Sequence, residues 1–340
     1  MANILVTGAA GFLGSHLVDK LLFLGHTIVG VDNMLGGDLG NVHEGCWFEE
    51  ADCCNLEYIT RAMKNIEVVY HCAASPHEGL SVFSPILVTK NTYLSTVVTA
   101  TAAIQAGVKR FVFTSSMARY GNQPMLPFIE DMVCNPVDPY GIAKLAAEKT
   151  LLCLGKQHGM EVVIAVPHNI IGSRQKYDDP YRNVAAIMIN LMLQGRQPII
   201  YGDGNQRRCF SFVDDCIEPL VKMGFEEGLD GEIINIGPDD SDITINTLAG
   251  VISRFTLTSE AMNGVFEPVY MPARACEVKE AWPSADKARR LLGYEPKTRL
   301  ANGLLKMMEW IHAKGTKPFI YHLPLEIEKN APLTWKEKMF

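Results

Sequence analysis

The stretch Ile4-Leu5-Val6-Thr7-Gly8-Ala9-Ala10-Gly11-Phe12-Leu13-Gly14 decides the fold. An apolar, β-prone run leads into three glycines, and apolar residues then recur at the helical spacing of Leu13, Leu17, Leu21 and Leu24. This change of period predicts a strand, a glycine-rich turn and a helix. The N-terminus of a helix presents unpaired N–H groups and a partial positive charge, so the turn is suited to an anion.

The next apolar run, residues 26–31, ends on Asp32. An acid at this distance from the glycines typically meets a ribose 2′-hydroxyl, while the glycines let a pyrophosphate approach the backbone. The pattern therefore predicts a dinucleotide site, with NAD favoured over NADP because Asp32 would repel a 2′-phosphate. A tight turn with no ligand is the alternative.

Composition sets broad limits on what the chain can be. Its 340 residues, 48% hydrophobic and 20% charged, are ordinary for a globular protein with one large and one smaller domain. A net charge of −7 argues against a nucleic-acid partner. We expect no signal peptide, no membrane span and no metal site. Nine cysteines without a C-x-x-C pair favour a reduced, cytoplasmic protein.

Strands and helices alternate through the first half of the chain. Six strands are predicted, near residues 4–7, 26–32, 47–52, 68–74, 111–116 and 162–167. The sequence thus predicts an α/β protein with a Rossmann-like, doubly wound parallel sheet, and ligands at the carboxyl edge of that sheet.

The second half is less regular and predicts a smaller, mixed α/β substrate domain. We assign residues 1–168 and about 211–236 to an NAD-binding domain, and about 169–210 and 237–313 to a substrate domain. The tail, residues 314–340, packs either along the body or across a subunit contact, and the sequence leaves both open.

Tyr140-Gly141-Ile142-Ala143-Lys144 places a phenol and an ammonium one helical turn apart. A nearby Lys⁺ and an oxidised nicotinamide ring both favour the phenolate, so we expect the pKa of Tyr140 to fall towards neutrality. Ser116 closes a predicted strand at the edge where the reactive ring should lie. Incidental residues at a helix start and at a strand end are the alternative.

Three motifs occur in order: Thr7-Gly8-x-x-Gly11-x-x-Gly14, S-x-x-x-Y-G at 116–121 and Y-x-x-x-K at 140–144. Together they resemble the extended short-chain dehydrogenase/reductases, and within them the nucleotide-sugar enzymes of the NAD-dependent epimerase/dehydratase family. The resemblance covers about residues 3–313. It implies bound NAD, a nucleotide-diphosphate sugar as substrate, with a UDP-sugar favoured, and a homodimer.

The resemblance also implies roles for individual residues. The catalytic group would be Ser116, Tyr140 and Lys144. Residues implied in cofactor binding are Gly8, Gly11, Phe12, Leu13, Gly14, Asp32, Asn33, Asp52, Cys53, Ala73, Ala74, Asn91, Thr114, Tyr140, Lys144 and Pro167. Residues implied in substrate binding are Ser116, Asn169, Arg208, Arg274, Glu277 and Ala281.

Departures from the family pattern narrow the reaction. The family's dehydratases and decarboxylases carry acids where this chain has Met117 and Ala118. Arg119 stands where the family usually has an apolar residue, and we expect it near the sugar, where it would select an acidic sugar or bond its hydroxyls. The resemblance also implies that Ala281 borders the sugar and acts as a gate. Because alanine is small, we expect the pocket to tolerate N-acetylhexosamines or uronic acids, unless Trp282 fills the space.

The sequence therefore predicts a nucleotide-sugar 4-epimerase that acts through a transient 4-keto sugar. Two alternatives stay open. One is an NAD(P)-dependent 4-dehydrogenase or 4-ketoreductase, which would use the same residues. The other is a regulatory NAD-binding protein without catalytic activity.

Overall fold

The structure, a computed structural model, describes residues 1–240, 242–256 and 267–340. Its strands are β1 (Asn3–Thr7), β2 (Thr27–Asp32), β3 (Trp47–Glu50), β4 (Val68–His71), β5 (Arg110–Thr114), β6 (Glu161–Pro167), β7 (Ile170–Ile171), β8 (Ile199–Tyr201), β9 (Arg207–Arg208), β10 (Ser211–Phe212), β11 (Ile233–Ile236), β12 (Ile243–Thr244), β13 (Val269–Met271) and β14 (Glu280–Ala281).

The main sheet is parallel and has seven strands in the order β11-β6-β5-β4-β1-β2-β3. Strand order reverses between β1 and β4, which confirms the predicted Rossmann-like, doubly wound arrangement. The six strands predicted in the first half are present, and β11 adds a seventh beside β6. All seven carboxyl ends meet at one edge, where the candidate site lies.

The helices are α1 (Phe12–Phe23), α2 (Leu56–Ala62), α3 (Glu78–Ser81), α4 (Pro85–Thr89), α5 (Ser95–Ala106), α6 (Pro139–His158), α7 (Val184–Leu193), α8 (Val213–Phe225), α9 (Ile245–Thr256), α10 (Asp286–Leu292), α11 (Leu300–Lys314) and α12 (Leu333–Lys336). The helix predicted over 85–106 is present as α4, a π-turn at Lys90–Leu94 and α5. No helix of the described ranges is long and apolar enough to cross a bilayer.

The core lies on both faces of the main sheet. Successive side chains of a strand point to opposite faces, so Ile4 and Val6 of β1 join one hydrophobic cluster and Leu5 joins the other. Burial on both faces explains why the inner strands β1, β4 and β6 are nearly continuous apolar runs.

Among the described residues, three small sheets accompany the main sheet: β7 with β10, β8 with β13, and β9 between β12 and β14. The tail packs along the body, the first of the two alternatives. Ile320 N–H donates to Asp178 O at 2.8 Å, and Ile327 N–H donates to Phe83 O at 2.9 Å.

Candidate active site

A cavity of about 420 Å³ lies at the carboxyl edge of the main sheet. Every predicted cofactor residue lines it, and so do Ser116, Asn169, Arg208, Arg274 and Glu277. The fold thus brings almost all of the predicted site residues to one place.

The glycine-rich turn is shaped by close backbone contacts. Gly8 has a φ of +72°, and a Cβ on it would lie 2.9 Å from Ala73 N. A Cβ on Gly14 would lie only 2.1 Å from Gly8 O, so the turn and α1 touch directly. Gly11 is the N-cap of α1 and has no side-chain cap, which leaves the first amides of the helix open to an anion.

Asp32 ends β2 and is 7% exposed. Its carboxylate accepts hydrogen bonds from Ala10 N at 3.1 Å and Met34 N at 2.9 Å. Burial raises the pKa of this carboxyl, and the backbone donors oppose that rise. Asp32 is therefore fixed beside the glycine turn, where a ribose would hydrogen-bond to it. Together the turn and Asp32 fit a dinucleotide.

Tyr140 and Lys144 lie on α6 and are both buried, at 6% and 2% exposed. Lys144 Nζ donates to Thr114 O at 2.6 Å and lies 5.9 Å from the centre of the Tyr140 ring. Burial lowers the pKa of Lys144 to about 8. Tyr140 and Lys144 therefore lie at the carboxyl end of β5, next to Ser116.

The protein without a cofactor does not show the expected fall in the pKa of Tyr140. Burial raises the pKa of this phenol, and the negative charges of Glu78 and Asp138 raise it further. The Ser116 hydroxyl and the charge of Arg182 lower it in part. The predicted fall therefore requires the positive ring of a bound cofactor in addition to Lys144.

The two predicted diphosphate arginines line the cavity from strand β9, which carries Arg208, and from the loop after β13, which carries Arg274. Arg208 donates to Val278 O at 2.5 Å and to Arg207 O at 2.8 Å, which fixes its guanidinium against the backbone. Arg274 pairs with Glu277 at 2.9 Å, and its Nε is buried without a hydrogen-bond partner among the described residues. A guanidinium with a free, buried donor is suited to an anionic ligand.

Ala281 does not reach the cavity. It is 8% exposed, packs in the same hydrophobic cluster as Phe128 and Val278, and is absent from the cavity lining, as is Trp282. The expected gate over the sugar is not formed by its side chain.

The expectation for Arg119 is wrong. Arg119 is 4% exposed and is not among the residues that line the cavity. Its Nε pairs with Glu148 Oε2 at 3.0 Å, and the same carboxylate accepts a hydrogen bond from the Ser115 hydroxyl. A buried cation needs a partner, and Glu148 supplies it. Arg119 therefore links the segment after β5 to α6 and does not line the cavity.

Several cavity-lining residues were missed by sequence reasoning: Glu78, Asp138, Tyr181, Arg182, Tyr201 and Phe340. Only Asp138 had a local signal, since Asp before Pro139 is typical of a helix start. It caps α6 by accepting a hydrogen bond from Gly141 N at 2.9 Å. Burial and the charge of Glu78 raise its pKa to about 7.

The chain is similar to known proteins in both sequence and structure. Residues 4–237 match the model of the NAD dependent epimerase/dehydratase family. UDP-glucose 4-epimerase of Mycolicibacterium smegmatis is 33% identical, over 92% of this chain and 99% of that protein. UDP-glucuronic acid decarboxylase 1 of Danio rerio is 30% identical, over 91% of this chain and 72% of that protein.

Among solved structures, UDP-glucose 4-epimerase of Thermotoga maritima with UDP-glucose is 33% identical, with a TM-score of 0.85 over 92% of this chain and 99% of that one. The chain belongs to the NAD-dependent epimerase/dehydratase family, within the extended short-chain dehydrogenase/reductases. It is an enzyme of that superfamily, and its cofactor is NAD.

Proposed function

We propose that this protein is an NAD-dependent nucleotide-sugar 4-epimerase that acts on a UDP-sugar. One observation carries the proposal: Ser116, Tyr140 and Lys144 face the same cavity as the glycine turn and the two arginines. A sugar whose diphosphate lies at the arginines would present its ring to the phenol of Tyr140.

Each residue then has a defined task. NAD, when bound, accepts a hydride from C4 of the sugar and returns it. Tyr140 takes the proton of the 4-hydroxyl as that hydride leaves, and Ser116 hydrogen-bonds the same oxygen. Lys144, held at Thr114 O, favours the phenolate by its charge. The resulting 4-keto sugar would turn over in the cavity and take the hydride on its other face, while Tyr140 returns the proton to the 4-oxygen.

This reaction requires the diphosphate to stay fixed while the sugar rotates. Arg274 supports that role, because it is held by Glu277 and keeps a free donor for an anion. A guanidinium holds a diphosphate through two oxygens, and a lysine does not.

Dehydration and decarboxylation are less well supported, although the decarboxylase named above is a relative. Ala118 is buried and Met117 is apolar, so the positions next to Ser116 carry no group that transfers a proton. Epimerisation needs only the groups that are present.

The cavity also bears on the choice of sugar. Glu78 and Asp138 line it near Tyr140, and Glu78 makes no ion pair with any described residue. The charge of Glu78 would oppose a sugar carboxylate there, and Arg182, which also lines the cavity, would offset only part of that opposition. We therefore expect neutral hexoses and N-acetylhexosamines to react faster than uronic acids, which revises the expectation drawn from Ala281.

The test is a turnover assay on UDP-, GDP- and CDP-linked sugars, run without added cofactor. We expect conversion of a UDP-sugar to its 4-epimer by NAD that stays bound through purification. The matched control is Tyr140→Phe. Conversion only when NAD(P) is added, with a net change in its reduction state, would make the protein a 4-dehydrogenase or 4-ketoreductase. No conversion of any sugar would overturn the proposal.

A homodimer is the assembly we expect. Leu94, in the π-turn before α5, and Ile142 on the neighbouring α6 are 46% and 54% exposed, and such apolar side chains favour a subunit contact. Light scattering of the wild type and of Ile142→Glu tests this, with a dimer and a monomer expected. A monomeric wild type would contradict it.

A further inference from the structure

The C-terminal tail lies outside the family resemblance and is held to the body at several points. The tail makes two backbone hydrogen bonds, to Asp178 O and Phe83 O. In addition, its Glu326 accepts hydrogen bonds from Ile86 N at 2.8 Å and Leu87 N at 2.9 Å. These amides form the first turn of α4, where a carboxylate is favoured. The tail is therefore docked on the segment that leads into the cofactor side of the cavity.

The end of the tail is buried against cavity-lining residues. Thr334 and Trp335 of α12 are 1% and 2% exposed. The Trp335 ring lies edge-on to Tyr181 at 5.1 Å and to Phe83 at 5.8 Å between ring centres. Since Tyr181 lines the cavity, α12 forms the layer behind that wall.

The same short helix connects to Arg274 through Tyr201. The hydroxyls of Thr334 and Tyr201 share a hydrogen bond of 2.5 Å, and the Tyr201 ring faces the Arg274 guanidinium at 5.0 Å. A cation over an aromatic face is attracted to it, so the position of the ring sets the position of the guanidinium. Tyr201 and Arg274 both line the cavity.

Gly79 shows how closely these groups are packed. A Cβ on Gly79 would lie 3.2 Å from Arg274 Nη1 and 3.6 Å from the Trp335 ring. Arg274 is thus enclosed by Tyr201, Glu277 and Gly79. Phe340, the last residue, lines the cavity as well, and its N–H donates to the Tyr321 hydroxyl at 2.9 Å.

We propose that the tail is part of the substrate site: Thr334 holds the Tyr201 ring against Arg274, and so positions that guanidinium for the substrate diphosphate. The proposal rests on the proposed function for the identity of the ligand. Thr334 acts through Tyr201 and is a positioning residue, since it is not among the residues that line the cavity.

The experiment breaks the shared hydrogen bond from each side. Thr334→Val, Tyr201→Phe and the double variant keep the shapes of the side chains and remove one or both hydroxyls. Binding of UDP and of NAD is measured by calorimetry, alongside the melting temperature. Glu326→Gln is the matched control, since it weakens the attachment of the tail without touching Thr334.

We expect each single variant to weaken UDP binding by about 3- to 10-fold, the effect of one hydrogen bond. The double variant should be no weaker than the singles, because all three lack the same bond. NAD affinity should be unchanged in every variant. Glu326→Gln should lower the melting temperature and leave UDP affinity as in the wild type.

Other outcomes are distinguishable. Wild-type UDP affinity in Thr334→Val, with only a lower melting temperature, would make the tail a purely structural addition and overturn the inference. Additive losses in the double variant would show that Tyr201 acts without Thr334, which also overturns it. A wild-type protein that binds no UDP would overturn the proposed function and, with it, this inference.

Discussion

Gly14→Ala tests the cofactor site through a contact that the structure gives directly. The new Cβ would lie 2.1 Å from Gly8 O, whereas real Cβ contacts do not fall below 3.0 Å. The glycine turn and α1 must therefore separate by about 1 Å. Overpacking of this kind costs about 1–3 kcal/mol. If the cofactor-bound state carries that cost, NAD affinity falls by about 5- to 150-fold, since about 1.4 kcal/mol is a factor of ten.

The assay is calorimetric titration with NAD, together with the amount of NAD that co-purifies. Gly250→Ala is the matched control, because Gly250 also lies within a helix, α9, and a Cβ there meets no atom within 4 Å. It should leave NAD affinity unchanged and stabilise the protein by about 0.5–1 kcal/mol. Wild-type NAD affinity together with a wild-type melting temperature in Gly14→Ala would refute the close-contact reasoning.

Three further predictions concern other parts of the site. Tyr140→Phe should lower kcat by roughly 100- to 10,000-fold with UDP affinity unchanged, because it removes only the general base; near-normal turnover would mean that another group is the base. NAD should bind more tightly than NADP in calorimetry because of Asp32, and the reverse order would refute that role. The pKa of Asp138 is raised from 3.8 to about 7 in the folded protein, so the folded state binds the proton more tightly than the unfolded state. The stability that this gives is therefore full below about pH 4 and is lost as the pH rises through 7. Asp138→Asn keeps the helix cap, and its free energy of unfolding should lack this loss between pH 4 and 7; parallel pH profiles of variant and wild type would count against the assignment.

The parts predictable from sequence are those set by nearby residues. The change of period at Gly8 and Gly11 predicts the turn, because the strand before it and the helix after it are both determined by neighbouring residues. Tyr140 and Lys144 share a helical face for the same reason. Arg208 and Arg274 came from the family resemblance and not from any pattern.

The parts that were missed depend on contacts between distant segments. Arg119 can be buried because it pairs with Glu148 on α6, and no local sequence pattern predicts that pairing. The docking of the tail depends on Asp178 and Phe83, more than a hundred residues away. The domain boundaries, the homodimer and the cytoplasmic location stay predictions.

The central claim is that a hydride leaves C4 and returns to the same carbon without leaving the protein. The most direct measurement uses UDP-glucose and UDP-N-acetylglucosamine deuterated at C4, incubated with the purified protein in ordinary water and without added cofactor. Mass spectrometry and NMR then locate the label in the product. We predict a 4-epimer that keeps its deuterium at C4. Loss of the label to solvent, or no epimer from either sugar, would contradict the account.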